Sequence, residues 1–95
     1  MLNELIKIFE NARGQAVSLF KQSDKNTCVE IVCSEPELIF TTENFSYRKN
    51  KNIIELFDKS NFNKHVDVDI SCFIGADSEK NEFWINTDYY VFVIY

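Results

Sequence analysis

The sequence predicts an α+β fold: an N-terminal amphipathic helix packed on a mainly antiparallel sheet of four to five strands, with a short second helix. Three observations carry this expectation. Apolar residues recur at helical spacing over the first twenty positions; residues 65–74 alternate like a half-buried strand; the last seven residues are a β-branched and aromatic run. A length of 95 residues sets the scale at a single domain, 1–95, with a modest core.

The elements follow in order. Leu2, Leu5, Phe9, Ala12, Ala16 and Leu19 are spaced by threes and fours, and Ile6, Val17 and Phe20 widen the stripe. That is one face of a helix. Gly14 interrupts it. The spacing continues through the glycine, whose cost inside a helix is about 1 kcal/mol, so one long helix to Lys21 is expected. The other reading ends the helix at Gly14 and turns QAVSLFKQ into a strand that hairpins through SDKN onto TCVEIVCS. TCVEIVCS and ELIFTT have strand character, and Pro36 between them marks a turn or an edge, because proline cannot donate to a ladder.

NIIELFDKSNF places Ile53, Leu56 and Phe57 at helical spacing with Asn52 as a cap, and a short helix is expected there. In HVDVDISCFI, Val66, Val68, Ile70, Cys72 and Ile74 share one strand face; His65, Asp67, Asp69, Ser71 and Phe73 share the other. GADSEKN is a polar turn. EFWINT and DYYVFVIY read as one long strand with an irregularity near Asn86 to Asp88. Its last segment, Tyr89 to Tyr95, is apolar on both faces, as a central strand or a strand meeting another surface would be. The expected interior comprises Leu5, Phe9, Ile31, Leu38, Phe57, Val68, Ile70, Trp84, Val91 and Val93.

Charge is segregated. The net charge is −5; residues 1–45 contribute −3, residues 46–64 contribute +3, and residues 65–95 contribute −5 from six acids against Lys80. An acidic block of this kind repels phosphates and attracts a basic partner, so direct nucleic-acid binding is not expected. The basic stretch SYRKNKN, beside Tyr47, reads as a solvated turn. Glu4, Lys7 and Glu10 interrupt the first apolar segment, unlike a secretory leader, and no apolar run is long enough to span a membrane, so a cytoplasmic protein without membrane contact is expected. The three cysteines are an odd number, read as reduced thiols. Cys28 and Cys33, five apart, point to opposite faces of a strand and make no ligand pair, and a zinc site has no second cluster.

His65, the only histidine, invites a catalytic or metal reading with Asp67 and Asp69. Same-face neighbours on a strand lie about 7 Å apart, too far for three ligands to converge without help. The chain has two glycines, no phosphate-cradling loop, no nucleophile elbow and no two-histidine metal helix. HVDVD therefore reads as a solvated acidic strand face. No catalytic residue, metal or cofactor is expected, and the protein is read as a non-enzyme. The expected partner-binding residues are Asp67, Asp69, Phe73, Asp77, Glu79, Glu82 and Trp84: acids for steering, aromatics for desolvated contact, with the closing tyrosines bordering them.

The profile is that of a small acidic inhibitor. The expected function is an immunity protein that neutralises a cationic, nuclease-type toxin by occupying its basic cleft. The alternatives are a phage-encoded anti-defence protein, anti-CRISPR-like, that blocks a nucleic-acid channel, a small metal-binding regulator or enzyme using His65, and a homodimer pairing through the C-terminal strand.

Overall fold

A computed structural model of the chain describes residues 2–23, 26–27, 30–31, 36–86 and 88–95. The elements are α1 (Leu2–Ala12), β1 (Val17–Ser23), β2 (Asn26–Thr27), β3 (Glu30–Ile31), β4 (Glu37–Thr42), β5 (Phe45–Asn50), β6 (Ile53–Asp58), β7 (Asn61–Asp69), β8 (Phe73–Asp77), β9 (Glu82–Ile85) and β10 (Asp88–Ile94). The fold is α+β and every strand pairing among the described residues is antiparallel. Instead of one sheet there are two principal ones: five strands in the order β4-β1-β10-β9-β8, and three in the order β5-β6-β7, with β2 and β3 as a separate short pair. Cys28 and Cys33 lie outside the described residues.

The first helix stops at Ala12 rather than Lys21. Gly14 takes a φ of 75°, the left-handed conformation that closes a helix. Its N–H donates to the Phe45 carbonyl at 2.8 Å, and the Phe45 N–H donates to the Gln15 carbonyl at 3.0 Å. The chain thus leaves the helix by pairing with the start of β5. Val17 and Leu19, which fit the helical stripe, are buried on β1 instead. β1 pairs with β10 and β4, and most of TCVEIVCS, onto which the other sequence reading hairpins it, lies outside the described residues.

The short second helix is replaced by β6. Ile54, Leu56 and Asp58 are buried, and Ile53, Glu55 and Phe57 are half-buried on the other side, a period of two. Lys51, at φ 56°, and Asn52 form the tight turn from β5 instead of a helix cap. β6 then has a partner on each side, β5 and β7, and two ladders of main-chain hydrogen bonds outweigh a weak helical spacing.

HVDVDISCFI is two strands in two sheets, β7 ending at Asp69 and β8 beginning at Phe73. One Asp69 carboxylate oxygen accepts from the Ser71 N–H at 2.9 Å and the Ser71 hydroxyl at 2.7 Å, and the Phe73 N–H donates to the Ile70 carbonyl at 3.1 Å. This Asp-led turn reverses the alternation. Phe73 packs against the core, whereas Ile74 and Cys72 are exposed. EFWINT and DYYVFVIY are likewise two strands, β9 and β10, paired as a hairpin whose turn uses Asn86 at φ 56°.

The core joins the sheets through the helix. Phe9 of α1 holds its ring 6.0 Å from Phe45 and 5.5 Å from Tyr47 of the three-stranded sheet, and 5.9 Å from Phe83 and 5.6 Å from Phe92 of the five-stranded sheet. Leu5, Ile8 and Ala12 complete the buried face of the helix. Of the expected interior, Leu5, Phe9, Val68 and Ile70 are buried, and Phe57, Trp84, Val91 and Val93 are half-buried on outer sheet faces. Leu38 is exposed, because β4 carries a register shift opposite Leu19 and Phe20 that turns it outward. The Ile31 side chain lies outside the described ones.

Candidate functional site

The expected partner-binding residues divide between the two sheets. His65, Asp67 and Asp69 stand on the outer face of the three-stranded sheet, opposite Phe57, Glu55 and Ile53 of β6, and all three are exposed. On that face Arg48 of β5 pairs with Glu55 at 3.0 Å, and its guanidinium lies 5.7 Å from the Phe57 ring. A groove of about 530 Å³ runs over Arg48, Ile53, Glu55 and Asp67. The Asp69 carboxyl is held below its ordinary value, first by the Ser71 N–H and then by the Ser71 hydroxyl. Asp69 is thus occupied as a turn residue. A second cleft, about 360 Å³, separates the end of β7 from the β9–β10 turn and gathers Asp67, Asp69, Asp88 and Cys72. Asp88 is paired with Lys21 at 3.5 Å. Among the described residues no three His, Cys, Asp or Glu side chains are placed to hold a metal ion.

Asp77, Glu79 and Glu82 gather at the β8–β9 hairpin. Asp77 folds the loop by accepting the Glu79 N–H at 3.0 Å and the Lys80 N–H at 3.3 Å, and Asn81 closes it at φ 54°. The Ser78 hydroxyl donates to Glu4 of α1 and holds that carboxyl below its ordinary value, which ties the loop to the helix. Asp77 is directly across from Glu82, and Glu82 across from Val91. None of the ion pairs among the described residues involves Asp77, Glu79 or Glu82.

The aromatic part of the site comes from the alternation of β9 and β10. Phe83 and Ile85 are buried, so Glu82 and Trp84 face outward. β10 is the central strand, as its apolar character on both faces requires. Phe92 faces the core and Tyr90 stacks on Phe83 beneath the sheet, whereas Tyr89, Val91 and Val93 face outward. Trp84 and Tyr89 hold their rings 5.5 Å apart at 35°. Phe20 of β1 extends the patch beside Val91. Burial, reinforced by the nearby Glu82 carboxylate, pushes the Tyr89 phenol up to about 12. Further along the same face, the Tyr95 hydroxyl donates to the buried Ser18 Oγ at 3.0 Å, Ser18 lies 3.0 Å from Thr41 Oγ1, and Thr41 donates to the Val17 carbonyl at 3.2 Å.

One outer face therefore unites Asp77, Glu82 and Trp84, with Glu79 on the adjoining loop. Phe73 is turned inward, and Asp67 and Asp69 belong to the other sheet. The sequence reading left out Phe20, Gly75 and Val91, and placed Tyr89 only at the border. The two-sided apolarity of β10 was their signal; which side is covered depends on strand order. Among the described residues no helix is long and apolar enough to cross a membrane. Compared with protein-family models, curated proteins and solved structures, the chain matches none.

Proposed function

We propose that this chain is a non-enzymatic, cytoplasmic binding protein that inhibits a basic partner, in the manner of an immunity protein against a cationic, nuclease-type toxin. The observation that carries this reading is the outer face of the five-stranded sheet, where Trp84 and Tyr89 adjoin Val91 and Phe20 and are bordered by Asp77, Glu79 and Glu82. Aromatic surface supplies contact that slows release; carboxylates at its rim speed the approach of a cation. Asp67 and the other exposed acids act only through the long-range field, against a net charge of −5. A symmetric dimer on this face would put two acidic rims in one interface, so a basic partner fits it better.

The test is capture from the source cells at low and high salt, with wild type and with a variant carrying Asp77→Lys, Glu79→Lys and Glu82→Lys that still melts cooperatively. The expected result is a basic protein whose nuclease activity falls stoichiometrically as the chain is added, with both capture and inhibition lost in the variant. A captured protein retained equally by the variant would rule out this face.

A further inference from the structure

Gly75 lies directly across the β8–β9 ladder from Trp84. A glycine there weakens the strand. It follows a register shift in the β8–β9 ladder between Phe73 and Gly75, where a glycine is common; its φ is not in the left-handed region, and a Cβ added to it would meet no atom within 4 Å. The space its side chain would fill, across the ladder from Trp84, is open. The far side of Trp84 is walled by the Tyr89 ring at 5.5 Å. Glu82 stands two residues along β9, and Asp77 faces it across the ladder.

Two tilted rings, an open floor and two carboxylates without an ion-pair partner among the described residues suit one kind of side chain. A guanidinium is planar and weakly hydrated. It stacks on a ring face while its N–H fork engages a carboxylate, which an ammonium cannot do. We propose that Trp84, Tyr89 and Glu82, over the floor left by Gly75, receive a single arginine side chain of the partner. This rests on the basic-partner reading and deepens it, from general charge attraction to a residue-specific socket.

Trp84 is the only tryptophan, so its fluorescence reports the socket directly. The probes are hexa-arginine and hexa-lysine amides at physiological salt, with wild type, Glu82→Gln and Gly75→Val. The expected result is saturable quenching by hexa-arginine at about tenfold lower concentration than by hexa-lysine. Gly75→Val, which fills that space and raises strand propensity, keeps or raises the melting temperature yet brings arginine affinity down to the lysine level. Glu82→Gln does the same without the thermal gain. Equal affinity for both peptides, unchanged by Gly75→Val, overturns the socket and leaves the basic-partner reading intact. Quenching by neither peptide in folded protein also overturns it, and the basic-partner reading is then decided by the capture experiment alone.

Discussion

Gly14→Ala separates two chains of reasoning by the sign of its effect. In the structure Gly14 sits at φ 75° just beyond α1, and a Cβ there meets nothing within 4 Å. No clash contributes, so the cost is conformational. Holding an L-residue in the left-handed region costs about 1–2 kcal/mol. Reduced freedom of the unfolded chain returns about 0.4–1 kcal/mol. The net is a destabilisation of about 1 kcal/mol, or a melting temperature lower by about 4–8 °C for a chain of this size. Had the helix run through Gly14 to Lys21, alanine would instead stabilise by about 1 kcal/mol. Urea unfolding followed by Trp84 fluorescence and by far-ultraviolet circular dichroism measures the difference. An unchanged dependence on urea concentration assigns the shift to the folded state's stability. Gly14→Asn, which tolerates positive φ, should fall between glycine and alanine. A more stable Gly14→Ala protein with a larger helical signal would refute the capped helix and the Gly14–Phe45 pairing that depends on it.

Three further outcomes are expected. Phe9→Ala removes the ring that touches both sheets and should cost about 3–5 kcal/mol, a large share of the total stability of a small domain, seen as a collapse of the urea midpoint. Glu4, Glu10, Asp58 and Asp69 are all held below their ordinary values of 4.5 and 3.8, by the Ser78, Tyr47 and Thr42 hydroxyls and the Ser71 N–H respectively. Depressed folded values contribute stability that is present above the ordinary values and lost as pH falls through the folded ones, so the melting temperature should be level near neutrality and drop in acid. If melting is insensitive to acid down to pH 3, those hydrogen bonds are not made in solution. Tyr89 has the opposite sign: with its folded value raised from 10.0 to about 12, its contribution is complete below pH 10 and disappears as pH rises through 12, and Tyr89→Phe should flatten that alkaline loss.

Some of the molecule can be read from spacing alone, because spacing is local. The helical stripe of Leu5, Phe9 and Ala12 and the two-residue alternation from His65 to Asp69 each follow from where Cβ atoms point along one element. The α+β class and the exposed acidic face of β7 came with them, as did the apolar character of β10 on both faces. The acids and Trp84 of the candidate site were legible as a composition, though not as a surface.

The rest required partners distant in the chain. Gly14 ends the helix where Phe45 offers a carbonyl and takes one back, thirty-one positions away in sequence. Ile53–Asp58 has spacing compatible with a short helix, and becomes a strand because β5 and β7 occupy both of its edges. Asp69 breaks an alternation that reads as continuous, sending Phe73 inward and Ile74 out. Register and strand order then place Trp84 beside Tyr89 and opposite Gly75. A short apolar run carries too little periodicity to choose its own form. The hydrogen bonds and buried area that decide it belong to segments that meet only when the chain has folded.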